Sequence, residues 1–338
     1  MWKQVTSLAR GLLLILLLAA AGGLGFGWYL SHYANTPAVP GAPAQVVQIP
    51  PGAGAVVVAA RLHGRGIIEN PRLFRFLVRF HERRGLIKAG EYELSGAMPP
   101  ADILDRLIRG EVMLHRLTIP EGFTAAQIAQ AVGRAGLAQP AAFLEAVHDA
   151  DLIAAYEIPG DSLEGYLFPE TYYFAATVTP DRLARTMVKR FFSVFDQSRQ
   201  QRAEEMGLTT HEVVILASII EKEPAVAAER PLIASVFHNR LNQGMRLDSD
   251  PTVIYGIEDF DGDLTRRHLN TTTPYNTYKI RGLPAGPIAN PGKASLAAAL
   301  HPADTDYLYF VANDNGSHQF STNLADHNRA VRKYQLGR

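Results

Sequence analysis

From Gly11 to Leu30 the chain runs for 20 residues without a charged side chain. A helix rises about 1.5 Å per residue, so a run of this length crosses about 30 Å, the thickness of a bilayer's hydrocarbon core. The run has no polar face, which sets it apart from a helix packed on a soluble core. Lys3 and Arg10 precede it, Trp28 and Tyr29 sit at its far end, and the next Lys or Arg is Arg61. Basic residues stay on the cytoplasmic side and aromatic rings favour the membrane interface. The expected arrangement is therefore residues 1–10 in the cytoplasm, an anchor at 11–30, and everything after it exported. A cleaved signal peptide with Ala19-Ala20-Ala21 as its small-residue site is the rival reading. The apolar run continues through Gly22-Gly23-Leu24-Gly25-Phe26, which favours the uncleaved anchor.

The remaining length is enough for about two folded units, within a chain of 338 residues. Hydrophobic residues make up 47% and charged residues 20%, a composition that builds cores and excludes bulk disorder. Lys+Arg and Asp+Glu both number 33, so the net charge is zero, which argues against a nucleic-acid partner held on a basic face. There is no cysteine, which removes disulfides, thiolate metal sites and cysteine nucleophiles.

The Pro/Ala/Gly-rich stretch 31–45 fits a semi-extended linker, with an ordered arm wrapped on the folded part as the other arrangement. A small α+β subdomain is expected at 46–115. It would contain a strand at Val46–Ile49, a short apolar helix at Ala55–Leu62, and a helix after the Asn70-Pro71 cap with Leu73, Phe74, Phe76, Leu77 and Phe80 on one face. A strand at Glu91–Leu94 and a helix at Ala101–Arg109 closed by Gly110 complete it. The next strand is expected at His115–Ile119. Ile49-Pro50-Pro51-Gly52 is echoed by Ile119-Pro120-Glu121-Gly122, each followed by a short Ala-rich helix and a glycine-punctuated stretch. Strand, turn, short helices and return strand resemble the LysM carbohydrate-binding module; a unit that only spaces the rest from the membrane is the alternative. Residues 116–338 read as a mainly helical domain with short strands. Helical periodicity covers Pro140–Ala150, Pro180–Phe195, Val213–Ile220 and Glu229–Gln243. Asn313-Asp314-Asn315-Gly316 marks a hairpin between Tyr307–Ala312 and Gln319–Ser321, and a final helix starts near Thr322. The fold class is α+β.

No HExxH zinc motif or G-x-S-x-G elbow occurs, and Gly286 to Lys293 has the wrong spacing for a phosphate loop. No cofactor or metal is expected. The apolar segment Val213–Ile220 ends in Glu221-Lys222-Glu223, and Pro224 disfavours helix at Glu223. A carboxyl at the end of a buried helix loses water and faces the negative end of the dipole, and both effects raise its pKa toward what a general acid needs. A solvated helix end with Lys222 as counter-ion is the alternative. Aromatic residues at 163–174, among two carboxylates, could line a saccharide groove or plug a gap between subdomains. Loops dense in Tyr, Asn, Thr and Asp, among them 245–256 and 273–278, suit sugar hydroxyls and acetamides. Candidate substrate-binding residues are Tyr255, Asn276, Tyr278 and Asn323.

The blocks SLEGYLFPETYYF (162–174), ILASIIEKE (215–223), ERPLIASVFHNRLNQGMRLDSDPTVIYG (229–256), TPYNTYKIRGLPAGPIANPG (273–292) and HPADTDYLYFVANDNGSHQFSTNLADHN (301–328) resemble the YceG-like family of endolytic murein transglycosylases. The resemblance runs from about Val46 to the C-terminus. It implies an inner-membrane enzyme that cuts the β-1,4 bond between N-acetylmuramic acid and N-acetylglucosamine and leaves a 1,6-anhydro end. It implies peptidoglycan glycan strands as substrate, peptidoglycan synthases as candidate partners, and a part in ending strand elongation. A single carboxyl serves this chemistry, whereas a hydrolase normally uses two. Alignment with lytic transglycosylases puts Glu223 at the catalytic position, with Glu221 as alternative or supporting acid. The family usually has a small hydroxyl residue where this chain has Pro224. The competing functions are a non-catalytic peptidoglycan-binding scaffold of the synthesis machinery and a secreted hydrolase of another polysaccharide.

Overall fold

The computed structural model describes residues 2–81, 86–223, 226–258 and 260–337. Pro224, expected to end the helix before it, lies outside them. The chain divides into two units, one made of residues 1–115 with 175–177, the other of 116–174 with 178–338.

The first unit begins with α1 (Trp2–Asn35), the one helix among the described residues long and apolar enough to cross a membrane. Residues 11–29 are exposed, but Leu30, Tyr33 and Ala34 on the last turns are buried in the unit's core. The segment 31–45 is therefore an ordered arm and no free linker. It is helical to Asn35, and beyond that Val39 N–H donates to Gly96 O (2.9 Å) and Ser95 Oγ to Ala42 O (2.6 Å). Tyr33 and Ala34 gain more from burial than a solvated coil would give them.

Strand β1 (Gln45–Ile49) pairs antiparallel with β2 (Gly90–Leu94), Val47 opposite Tyr92, and the connection between them folds as α2 (Ala55–Gly64) and α3 (Pro71–His81). Asn70 Oδ1 accepts from the N–H groups of Arg72 and Leu73 and so caps α3. Helix α4 (Pro100–Arg109) ends at Gly110, whose φ of +73° is the left-handed closure glycine permits. The core joins Val47, Ile49, Val58, Leu62, Phe74, Tyr92 and Leu104. One expectation needs correcting. Leu73, Phe74 and Leu77 of α3 are buried, but Phe76 and Phe80 are exposed: at about 100° per residue the five span roughly 160° of the helix surface, and the core covers only the side that carries Leu73, Leu77 and Phe74.

The second unit opens with the same arrangement. Strand β3 (Leu114–Thr118) pairs with β4 (Thr171–Ala175), and α5 (Ala125–Arg134), α6 (Pro140–Val147) and α7 (Ala150–Ala155) lie between them in sequence. The echo seen in the sequence extends to backbone geometry at a constant separation of 70 residues. Gly52 and Gly122 have φ of +72° and +74°, and Gly66 and Gly136 have +67° and +68°. Ile67 N–H donates to Leu62 O as Leu137 N–H donates to Val132 O, so both first helices close in one way. The buried residues repeat too: Val47, Ile49, Val58, Ala59, Leu62 and Ile67 correspond to Leu117, Ile119, Ile128, Ala129, Val132 and Leu137.

The rest of the second unit is helical: α8 (Pro180–Val194), α9 (Gln197–Glu205), α10 (Thr210–Lys222), a single 3-10 turn at Ala227–Glu229, α11 (Arg230–Asn242), α12 (Asp250–Tyr255), α13 (Arg266–Asn270) and α14 (Lys293–Leu300). An antiparallel hairpin, β5 (Tyr309–Ala312) with β6 (His318–Ser321), and α15 (Leu324–Tyr334) follow. Helix α10 is the central element. Eight successive residues, Val213 to Ile220, are buried, so it is surrounded by protein, with Leu296 and Ala299 of α14 in the same core. Thr209 and Glu212 form a capping box at its start.

Candidate active site

The far end of α10 places two carboxylates in different surroundings. Glu221 still lies on the helix, and its side chain is 6% exposed. Its Oε2 accepts from Gly292 N–H (3.0 Å), and its Oε1 pairs with Arg230 at 3.7 Å. Beside it, Lys222 Nζ donates to Gly122 O. Glu121 packs on the same group, and its carboxyl is pushed up by burial and then by the Glu221 charge, with Arg230 opposing. A Cβ on Gly292 would lie 1.8 Å from Glu121 Oε1, so a side chain there would displace the Glu121 carboxyl.

Glu223 is the residue at which the helix stops, with φ −77° and ψ 124°. This turns its side chain away from the Glu221 cluster and onto Ser249, whose Oγ donates to Glu223 Oε1 at 2.8 Å. Burial pushes its carboxyl up to about 7, the hydroxyl of Ser249 opposes that, and the neighbouring Asp250 charge adds to it. The carboxyl thus holds its proton into the neutral range, as a general acid must. Ser249 is held in turn. Its N–H donates to Thr277 Oγ1 (3.0 Å), and Thr277 bonds Thr252. Asp248, one residue earlier, takes a left-handed φ of +51°, and buried Arg240 secures that conformation through Arg246 O, Leu247 O and Asp248 Oδ2.

A third carboxyl was missed by reasoning from sequence. Glu164 is buried, with Oε2 accepting from Ala125 N–H (2.9 Å) and Tyr255 Oη (3.3 Å) and Oε1 accepting from Asn290 Nδ2 (2.6 Å). Burial pushes it up to about 7 against those hydrogen bonds. Its place in an apolar aromatic block was a signal, but nothing local indicated that Asn290, 126 residues away, would meet it. Helix α12 connects the two titratable sites, with Ser249 at its start on Glu223 and Tyr255 at its end on Glu164.

The four candidate binding residues divide. Tyr278 Oη donates to Asp250 (2.8 Å), which puts it beside Glu223. Tyr255 lies against Tyr275, ring centroids 4.8 Å apart. Asn276 is fully buried; its amide donates to His268 O, Leu269 O and Thr271 O and accepts from Tyr278 N–H, so it fastens the loop from below. Asn323 is the N-cap of α15, accepting from Asp326 N–H, a role expected of Thr322. Among the described residues no group of three His, Asp or Glu side chains is placed to hold a metal ion.

A family model described as the YceG-like family matches residues 47–333. The endolytic murein transglycosylase of Bacillus subtilis is 34% identical over 85% of this chain and 84% of its own length. That of Streptococcus pneumoniae (strain D39) is 31% identical over 85% of this chain, which spans 58% of it. A 2.6 Å crystal structure of a YceG-like protein from Listeria monocytogenes superposes with a TM-score of 0.60 at 35% identity, covering 86% of this chain and 99% of that one.

Proposed function

Because the chain belongs to the YceG-like family, we infer that it is a lytic transglycosylase of the bacterial cell wall that cuts within glycan strands. The bond is the β-1,4 link from N-acetylmuramic acid to N-acetylglucosamine, and the product carries a 1,6-anhydro end. The observation that carries this reading is the contrast between Glu223, kept protonated toward neutrality with one serine contact, and Glu221, engaged by Gly292 and Arg230.

Glu223 first gives its proton to the glycosidic oxygen, which leaves as the 4-hydroxyl of N-acetylglucosamine. The resulting carboxylate then takes the proton of the muramyl C6 hydroxyl as O6 bonds to C1. The ring closes, the carboxyl is regenerated and no water is consumed. Ser249 donates to the carboxylate form between the two steps. Tyr255 and Tyr278 offer aromatic rings to the sugars while their hydroxyls hold Glu164 and Asp250.

Glu223→Gln is expected to lower the cleavage rate by about 10²- to 10⁴-fold, since Gln can neither give nor take the proton. Mass spectrometry of digested sacculi reads the outcome: anhydro ends for a transglycosylase, reducing ends for a hydrolase, no release for a scaffold. Anhydro products from Glu223→Gln at near wild-type rate would sink the assignment. Only the protonated form can start the reaction, so kcat should fall as pH rises through about 7.

We further read α1 as an uncleaved anchor with its N-terminus cytoplasmic, so that the enzyme works outside the membrane on newly made strands and ends their elongation beside the synthases. A soluble mature form beginning near Gly22 would defeat this. The β1–α2–α3–β2 order supports a LysM-like, glycan-recruiting role for residues 46–112. Their deletion should weaken sedimentation with sacculi, and unchanged binding would reduce them to a spacer.

A further inference from the structure

We propose that α3 is a membrane-docking helix, its Phe76–Phe80 face and the arginines beside it seated in the headgroup region of an anionic bilayer next to the outer end of α1. The inference rests on reading α1 as a membrane span.

Two contacts fix how α3 runs relative to α1. Tyr33 Oη donates to Asn70 O at 2.9 Å, at the start of α3. The rings of Phe26 and Phe76 meet edge to face with centroids 5.5 Å apart. Moving along α3 from 70 to 76 thus means moving back along α1 from 33 to 26. The helices are antiparallel, and α3 descends toward the bilayer by about 9 Å between the two contacts. The geometry is rigid, because Leu30, Tyr33 and Ala34 share one core with Leu73, Phe74 and Leu77.

Depth follows from the sequence of α1. Trp28 and Tyr29 are exposed and mark the interface. Phe26 lies on the membrane side of them, so Phe76 is at interface depth and Phe80 about 6 Å deeper, one helical turn on. These are the side chains left bare: Phe76 is 44% exposed, Phe80 68%, and Leu86, in the connection to β2, 84%. A helix surface kept in water does not ordinarily place two phenylalanines one turn apart on its outer face.

Charge agrees with depth. The exposed arc of α3 also carries Arg72, Arg75 and Arg79, and the helix contains no acidic residue. Glu69 precedes it at the upper end, away from the bilayer. Guanidinium groups on long stems reach lipid phosphates while neighbouring aromatic rings enter the acyl boundary, the pattern of interfacial helices.

The absence of cysteine makes the test direct. Leu18→Cys and Phe80→Cys are each placed in the full chain, labelled with an environment-sensitive fluorophore and reconstituted in phosphatidylglycerol/phosphatidylcholine vesicles with brominated lipid. Both labels should be quenched by the lipid. Quenching at 80 should be stronger when the bromine is carried by phosphatidylglycerol than by phosphatidylcholine, and changing Arg72, Arg75 and Arg79 to Gln should remove that preference while leaving both labels in the lipid, as each arginine lost weakens headgroup attraction about fivefold. Equal quenching by the two brominated lipids in the unsubstituted chain overturns the headgroup role of the arginines. Quenching at 18 without quenching at 80 overturns the docking of α3 and leaves the anchor standing. No quenching at 18 overturns the anchor and the proposal with it. A label at 80 shielded from aqueous quencher yet untouched by brominated lipid would mean that protein covers this face, which also overturns the proposal.

Discussion

The turn after β1 and the turn after β3 are the same piece of backbone carrying different loads. In both, Ile-Pro-X-Gly ends a strand, the glycine adopts a left-handed φ, and a helix starts three residues later. A Cβ on Gly52 would meet nothing within 4 Å, and Pro51 beside it is exposed. A Cβ on Gly122 would meet Glu221 Cγ at 3.4 Å; Gly122 N–H donates to Asn290 O, its carbonyl accepts from Lys222, and Ala125 N–H donates to Glu164. Turn chemistry and apolar spacing are thus enough to build the module twice. What makes the second copy part of a site is what comes to rest on it: the end of α10 and the segment 288–292. Polar burial follows the same division. Among the described residues of the first unit only Ser95 is both polar and buried, whereas the second unit buries Glu164, Asn276, Asn290 and Arg240.

The sharpest way to break the comparison is to remove what the second copy has and the first lacks. Asn290 Oδ1 accepts from Leu167 N–H, and its Nδ2 serves Phe123 O and Glu164. Asn290→Ala leaves Leu167 N–H without its acceptor and the buried Glu164 with one donor fewer, while Phe123 O keeps the Asn290 backbone N–H, so unfolding in urea should show a loss on the order of 3–5 kcal/mol. A loss under 1 kcal/mol would mean that water replaces the amide and that the polar knot is not what joins these segments.

A smaller effect should appear with pH. The carboxyl of Glu164 sits at about 7 in the folded chain, against an ordinary value of 4.5. Below 4.5 both states are protonated. Between 4.5 and 7 the unfolded chain ionises while the folded one keeps its proton, so stability falls as pH rises; above 7 the slope vanishes. The total is roughly 3 kcal/mol. Glu223, raised to the same range, contributes a like fall, so Glu164→Gln should remove about half of the slope in that segment, and a curve unchanged by the substitution would contradict the buried, proton-holding carboxyl.

Smallest is the paired glycine test. Gly52→Ala and Gly122→Ala each put a side chain at a left-handed φ, at a cost of about 1–2 kcal/mol, visible as similar drops in melting temperature. Only Gly122→Ala places its side chain in contact with Glu221, so any slowing of turnover should be confined to it. Equal effects on activity would show that the two turns are functionally alike.

Much of this was legible in the sequence because it is local. The Asn70 cap, the closing Gly110 and the stop at Glu223 each depend on a few neighbouring residues, and the 70-residue echo was visible as a repeated turn. The rest depends on contacts the sequence does not announce. Asn276 read as a sugar ligand because Asn is common in such sites, but its amide is consumed by carbonyls five to eight residues back. Glu164 gained its role from partners at 125, 255 and 290. The five apolar residues of α3 read as one stripe because counting them did not show which would find a core. Thr322 and Asn323 both suit a cap, and the choice between them depends on backbone direction after β6.

On the proposed reading of α1 as an anchor, the way this helix ends has a consequence for how the protein could be released from the membrane. Proteases that shed ectodomains bind their substrate as an extended strand at exposed, unstructured segments. Here the residues just past the apolar run are helical, and Leu30, Tyr33 and Ala34 are packed among Phe74 and Leu77. No such segment is presented between residue 30 and residue 35. Release by a cut there requires the first unit to open, so shedding at this site should scale with the open population of that unit, and should reach a ceiling set by its unfolding rate only at high protease.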